Sequence, residues 1–210
     1  MPTDTAIVYV IDDDEAARQS LEFLLRAHTF NVETFDSATA FLKVAPGLES
    51  GCVITDVRMP GISGMELLRR LGELKIPLPV IVITGHGDVP LAVEAMKFGA
   101  VDFLEKPFND DVLLASVRSA LDRSEASAQL ETERAEIRAR IALLTNREHE
   151  VLDGLVAGHP NKVIAFDLGI SPRTVEIYRA NVMTKMKAAS LSELVRMALV
   201  AGAMKSQTDG

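Results

Sequence analysis

The sequence predicts an α/β protein: a doubly wound, five-stranded parallel sheet covered by helices, followed by a smaller all-α unit of four helices. Three observations carry this reading. Through roughly the first 120 residues, five short apolar or β-branched runs alternate with stretches of helical spacing. Regular alternation of strand and helix argues for parallel strands joined by crossover helices. Beyond about residue 140 the strand signal stops, and helical patterns separated by Gly-containing turns take over. The charge divides as well. Residues 1–140 hold 14 Lys/Arg against 23 Asp/Glu, a net −9, and residues 141–210 hold 8 against 7, a net +1. Two modules with different partners are expected, and only the second suits a polyanion.

Composition narrows the class further. Of 210 residues one is cysteine, Cys52, so an internal disulfide is excluded, and no Cys/His cluster suggests zinc. Cys52 lies in an apolar run and reads as a small buried hydrophobe. No basic patch followed by an apolar region opens the chain, so no signal peptide is expected. No apolar run approaches the roughly 20 residues of a membrane span. The cytoplasm is the expected location.

Taken in order, Ile7-Val8-Tyr9-Val10-Ile11 is the first strand, stopped by Asp12-Asp13-Asp14. Helical spacing follows through Ala17, Leu21, Leu24 and Leu25. Asn31–Phe35 alternates as a strand, and Ser37 is suited to cap the helix carrying Phe41 and Leu42. Gly51–Asp56 is the third strand, followed by the turn Met59-Pro60-Gly61 and a helix bearing Met65, Leu67, Leu68 and Leu71. Pro79–Thr84 is the fourth strand. Asp88 is suited to cap the next helix, with Ala92, Val93 and Met96, which Gly99 stops. Ala100–Leu104 is the fifth strand, ending at Glu105-Lys106-Pro107, and a last helix starts near Asn109.

In such sheets ligands bind beyond the carboxyl ends of the strands. Here those ends carry Asp12 and Asp13, Asp56, Thr84 and Lys106. Three carboxylates at one edge repel one another unless a cation sits among them. Hard oxygen ligands suit Mg²⁺, which takes few carboxylates and keeps several waters. Asp56 is then the natural nucleophile, because an aspartyl carboxylate can carry a phosphoryl group as an acyl phosphate. The Lys106 ammonium suits the phosphoryl oxygens, and the Thr84 hydroxyl can donate to them. His86, close after Thr84, could face the site or be an exposed loop residue.

Asp12-Asp13, Asp56-x-x-Met59-Pro60-Gly61, Thr84-Gly85 and Lys106-Pro107 resemble the receiver domain of bacterial two-component response regulators over roughly residues 6–121. The resemblance implies a flavodoxin-like sheet of order 2-1-3-4-5, with Asp56 as phospho-acceptor. It implies that Asp13, Asp56 and the Arg58 backbone carbonyl ligate Mg²⁺, with Asp12 helping through water. Thr84 and Phe103 are the implied switch pair. The donor is the phosphohistidine of a cognate sensor histidine kinase, and self-dephosphorylation is slow, so the chain is not otherwise an enzyme. Dimerisation on phosphorylation is expected through the fourth helix and fifth strand, where Val93, Lys97 and Asp102 lie; a solvated charged face is the other reading.

Between residues 122 and 140 the chain offers good helix formers and abundant charge, and a narrow apolar stripe of Leu130, Ile137, Ile141 and Leu144 runs on past its end. A largely helical linker is expected there, passing the switch mechanically or merely tethering the modules. Thr145 and Glu148 fit a capping box. Asn161 is suited to cap a second helix ending near Leu168, Gly169-Ile170-Ser171 is a tight turn, and Ser171 caps a third helix with Pro172 at its first position. A fourth carries Leu191, Leu194, Val195 and Ala198. Helix, short Gly-containing turn, helix is the helix-turn-helix unit, whose second helix enters the major groove; a generic small helical bundle fits the same spacing. Lys162, Arg173, Thr174, Glu176, Ile177, Tyr178, Arg179 and Lys185 are the candidate contacts to DNA.

Leu144-Thr145-x-Arg147-Glu148-x-Glu150-Val151-Leu152, Asn161-Lys162-x-Ile164-Ala165, Ser171-x-x-Thr174-Val175 and Lys185-Met186 resemble the LuxR-type DNA-binding domain over about residues 141–203. Glu176 and Ala180 stand where that family often has basic residues, so base preferences do not transfer. Receiver 1–121, linker 122–140 and DNA-binding unit 141–210 together resemble the NarL/FixJ class. That class implies double-stranded promoter DNA and RNA polymerase as partners. The full-length pattern, including Val82-Ile83-Thr84-Gly85-His86-Gly87-Asp88-Val89-Pro90 and Glu105-Lys106-Pro107-Phe108, resembles its FixJ branch most, which implies activation of nitrogen-fixation or microaerobic genes. A Mg²⁺-dependent aspartyl-phosphate hydrolase is the alternative; such enzymes keep a second acid in Asp-x-Asp, and here Asp56 is followed by Val57-Arg58. A third reading is a DNA-binding module with a merely structural front.

Overall fold

The computed structural model describes residues 7–85 and 89–202. Among them, five parallel strands form one sheet in the order β2-β1-β3-β4-β5. They are β1 (Ile7–Ile11), β2 (Asn31–Phe35), β3 (Cys52–Asp56), β4 (Val80–Thr84) and β5 (Asp102–Glu105). The helices that alternate with them are α1 (Glu15–Ala27), α2 (Ala38–Val44), α3 (Gly64–Glu73), α4 (Val89–Lys97) and α5 (Asp110–Ile141). Side chains along a strand point alternately to opposite faces, and both faces are buried. Val8 and Val10 pack with Leu21 and Leu25 of α1 and with Leu113 and Val117 of α5. Tyr9 and Ile11 pack with Phe41 of α2, Leu67 and Leu71 of α3 and Ala95 of α4.

Hydroxyl caps form where a serine precedes the apolar stripe, at Ser37 as expected and at Ser63 in addition. Ser37 accepts from Ala40 N–H, and Ser63 from Glu66 N–H. Asp14, read only as part of an acidic stop, accepts from Ala16 N–H and Ala17 N–H at the start of α1. A 3-10 turn at Ala45–Gly47 follows α2 and carries no periodic signal of its own. Asp88 and His86 lie outside the described residues. The strand expected from Ala100 begins at Asp102: Val101 N–H already donates to Val80 O, and Ala100 N–H caps α4 by donating to Ala95 O.

The chain divides between Gln129 and Leu130, within the stretch where sequence placed a linker, and α5 runs unbroken from Asp110 to Ile141. The second unit comprises the end of α5 with α6 (Asn146–Val156), α7 (Asn161–Leu168), α8 (Pro172–Met186) and α9 (Leu191–Val200). Its core holds Ile137, Leu144, Val151, Leu152, Ile164, Val175, Val182, Met186 and Leu194. Leu130, counted in the apolar stripe, is exposed. The Thr145–Glu148 capping box is present. Asn161 does not cap α7: it is the first helical residue, and Pro160 precedes it at the cap with no side-chain bond. Gly169 ends α7 at φ 65°, a left-handed position that a residue without Cβ occupies at little cost.

The close approach of α3 to β3 rests on Gly64. Its N–H donates to Val57 O over 3.0 Å, and a Cβ there would meet the Asp56 carbonyl oxygen and lie 3.0 Å from Thr55 Oγ1. Gly64→Ala must push α3 away from the strand that carries Asp56. A loss of about 1–3 kcal/mol is expected from such overpacking, read as a lower thermal midpoint.

Candidate functional site

The parallel register brings the strand ends level. Ile11 pairs with Thr55, Asp56 with Ile83, and Thr84 with Glu105. One edge therefore collects Asp12, Asp56, Thr84 and Lys106. The Lys106 Nζ donates to Asp56 Oδ1 over 2.9 Å and to Asp12 Oδ2 over 3.0 Å. Its backbone N–H donates to Thr84 O over 2.8 Å, which fixes where the side chain leaves the sheet. The Lys106–Pro107 peptide bond is cis.

Each oxygen of the Asp56 carboxylate has its own donor, because Arg58 N–H binds Oδ2 over 2.7 Å. Asp12 is buried and accepts Asp14 N–H through Oδ1 over 2.9 Å. Its own carbonyl accepts from Arg18 Nη1 over 2.7 Å. Burial works against the charge on Lys106, but hydrogen bonds to Asp56 and Asp12 outweigh it, and the ammonium sits above its ordinary value. Thr84 is buried, and Phe103 is half-buried against the apolar cluster that includes Leu91 and Ala95.

Asp13 stands apart from this group. It is exposed, and no hydrogen bond joins it to Asp12, Asp56 or Lys106. The Arg58 backbone reaches Asp56 through its N–H, not its carbonyl. Among the described residues, no three His, Cys, Asp or Glu side chains are grouped to hold a metal ion. A small hard cation needs only one or two carboxylates and fills its other positions with waters and phosphate oxygens. Asp12 and Asp56 share a single ammonium and retain one negative charge between them, so the donor set fits Mg²⁺.

Of the face expected to pair with another copy, Val93 is 47% exposed and lies with Ala92, Met96 and Lys97 around a shallow apolar depression on α4. Asp102 is engaged inside its own domain. It accepts from Phe103 N–H over 2.8 Å and from the Ser116 hydroxyl of α5.

In the second unit, α7 and α8 meet at the Gly169-Ile170-Ser171 turn, and Ser171 accepts from Thr174 N–H at the start of α8 over 3.1 Å. Lys162, Arg173, Glu176 and Ile177 are exposed. Tyr178 packs against the unit's core, Arg179 is half-buried, and the Thr174 hydroxyl is paired with that of Ser171. Lys185 is not free for DNA as it stands. Its ammonium donates to Glu148 Oε2 over 2.6 Å and to Leu143 O over 3.2 Å. Sequence had found Glu148 as a capping residue, but its partner 37 positions away left no local signal.

Residues 8–118 match the response regulator receiver domain, and residues 142–198 match the bacterial regulatory proteins of the luxR family. The chain is 62% identical over 195 residues to the transcriptional regulatory protein FixJ of Azorhizobium caulinodans, covering 93% of this chain and 92% of that one. It is 59% identical over 195 residues to FixJ of Bradyrhizobium diazoefficiens, covering 93% and 95%. Among solved structures it is similar to the response regulator StyR, with a TM-score of 0.81 at 40% identity over 92% of this chain and 98% of that one.

The buried Glu148 carboxylate yields a pH dependence. The Lys185 ammonium, together with the Thr145 N–H, holds it at about 2, well below its ordinary 4.5. A lowered carboxyl contributes stability above the unfolded value and loses it as pH falls from about 4.5 towards 2. In thermal melts of the full chain recorded at several pH values, Glu148→Gln should lower the midpoint of helical unfolding at neutral pH. It should also flatten the fall in stability across that window.

Proposed function

The chain belongs to the response regulators that join a receiver domain to a LuxR-type DNA-binding domain, and from that premise we propose that phosphoryl transfer to Asp56 controls its binding to promoter DNA. One observation carries the reading: the Asp56 carboxylate stands at the carboxyl edge of the sheet with Lys106 on one oxygen and Arg58 N–H on the other. Those two donors fix the direction in which the carboxylate presents itself to a phosphohistidine. The P–N bond of the donor breaks as the Asp56 O–P bond forms, and the imidazole leaves. Lys106 then exchanges its bond to the carboxylate for one to a phosphoryl oxygen.

Asp12, Asp13 and Asp56, with the Arg58 carbonyl, would hold Mg²⁺. When bound, that ion offsets charge on the transferring group. Asp13 is one residue from Asp12 and exposed, so it can approach by a change of side-chain rotamer. The new dianion draws the Thr84 hydroxyl, and Phe103 turns into the space that Thr84 leaves. Phe103 packs with Leu91 and Ala95 around α4, so its movement biases the face bearing Val93, Lys97 and Asp102 towards a second copy. For Asp102 this means exchanging its bond to Ser116 for one to Lys97 of that copy.

The receiver occupies residues 1–121, the linker 122–140 and the DNA-binding unit 141–210. In the dimer, two α8 helices reach paired half-sites on double-stranded promoter DNA, with Lys162 and Arg173 on phosphates. The protein acts in the cytoplasm, takes its phosphoryl group from a sensor histidine kinase, and recruits RNA polymerase. It is not an enzyme beyond slow self-dephosphorylation. The full-length similarity to proteins called FixJ supports activation of nitrogen-fixation or microaerobic genes.

Treatment with acetyl phosphate and Mg²⁺ should convert the wild-type chain to a dimer and tighten its promoter binding by about 10-fold or more, a modest coupling of at least 1.4 kcal/mol. Asp56→Asn should show neither change, and labelled phosphate should map to Asp56. Equal dimerisation and equal affinity in the two proteins would end this account.

A further inference from the structure

The exposed face of α8 differs from the set of candidate contacts that sequence spacing suggests. Val175, Val182 and Met186 are buried and fix the inner side of the helix. Opposite them, Arg173, Glu176, Ile177, Ala180, Asn181 and Thr184 are exposed. Arg173, Ile177 and Asn181 follow at intervals of four, so they lie on neighbouring turns of one face, about 12 Å from first to last. The other cations within α8 are turned aside: Arg179 is half-buried and Lys185 is paired with Glu148. The middle of the reading face is therefore neutral or acidic.

Asn181 is the residue on this face with both a donor and an acceptor to give. Among the described residues its side-chain amide has no hydrogen-bond partner. Its neighbour Ala180 is small, and the Thr184 hydroxyl is already spent on Ala180 O over 3.0 Å. The backbone at this turn can approach a groove floor closely, as a side chain as short as asparagine requires. In the major groove, adenine alone offers an acceptor at N7 beside a donor at N6, which an amide meets with two hydrogen bonds.

We propose that Asn181 is a specificity-determining residue of α8 and reads the N6/N7 edge of an adenine in each half-site. This rests on the reading of α8 as the helix that enters the major groove. A cationic reader would select guanine and add phosphate affinity; Asn181 selects adenine and adds little non-specific affinity.

The test is selection from a duplex library with a randomised half-site, using the full chain phosphorylated with acetyl phosphate. The wild type should select one adenine per half-site that Asn181→Ala no longer distinguishes. That variant should bind the selected duplex about 5- to 150-fold more weakly, the range expected for one bidentate pair, with other positions unchanged. Asn181→Asp, which can only accept, should shift the preference there to cytosine. A uniform loss on every duplex, with the salt dependence unchanged because asparagine carries no charge, would make Asn181 a phosphate contact and overturn the proposal, as would unchanged selection. If the wild type selects no sequence at all, the DNA-binding reading of α8 falls with it.

Discussion

The Lys106 ammonium is the interaction that ties the carboxyl edge of the sheet together. It is the meeting point of three chain segments: Asp12 after β1, Asp56 at the end of β3 and Lys106 itself after β5. The strand order places β4 between β3 and β5. Neighbouring strands lie about 4.8 Å apart, so a residue leaving β5 must reach across the end of β4. A long flexible stem does this, and Thr84 at the end of β4 is small enough to be crossed. One ammonium against two carboxylates leaves a residual negative charge. The edge is thus held together and still attractive to a divalent cation, which two lysines would have abolished.

The same geometry explains what sequence made legible and what it did not. The β-branched runs Ile7–Ile11 and Val80–Thr84 declared themselves, because strands buried on both faces must be apolar throughout. Their terminal polar residues stood out against that background, so Asp12, Asp56, Thr84 and Lys106 were visible as a set. Which carboxylate the lysine would grip was not visible. Asp12 and Asp13 are chemically alike, and only the turn beyond β1 decides that Asp12 is buried beside the lysine while Asp13 lies exposed. Asp14 escaped notice for a related reason. In a run of three aspartates, the local bond that makes the third an N-cap has no signature distinct from the other two.

Long-range polar pairing was illegible in the second unit for a different reason. A lysine on an amphipathic helix reads as solvent-exposed, and Lys185 looked suited to phosphate. Its partner Glu148 was already explained by the capping box, so nothing in the sequence asked for a second one. In the folded unit one Glu148 oxygen takes both the Thr145 N–H at the start of α6 and the Lys185 ammonium near the end of α8. That arrangement orients α8 against the beginning of α6 more tightly than apolar packing alone. Cores built from Val, Leu and Met tolerate repacking, whereas a charged pair at hydrogen-bond distance fixes one register.

The sparse charge on α8 bears on how such a protein is controlled. Protein–DNA affinity is dominated by phosphate contacts and rises with the number of cations delivered to the backbone. Residues 141–210 carry a net charge of only +1, and on the outward side of α8 Arg173 is the cation left free. A single unit with so few cations is expected to bind weakly, and in the proposed mode base-edge contacts from Glu176, Ile177 or Asn181 would discriminate without adding much affinity. Two units joined through their receivers, as proposed, would bind as one ligand, the second site engaging at a high effective concentration. The weaker each half, the larger the ratio between dimer and monomer occupancy at a promoter. In the proposed mechanism, the low charge of α8 places control of occupancy at the dimerisation step, where a phosphoryl group on Asp56 would act.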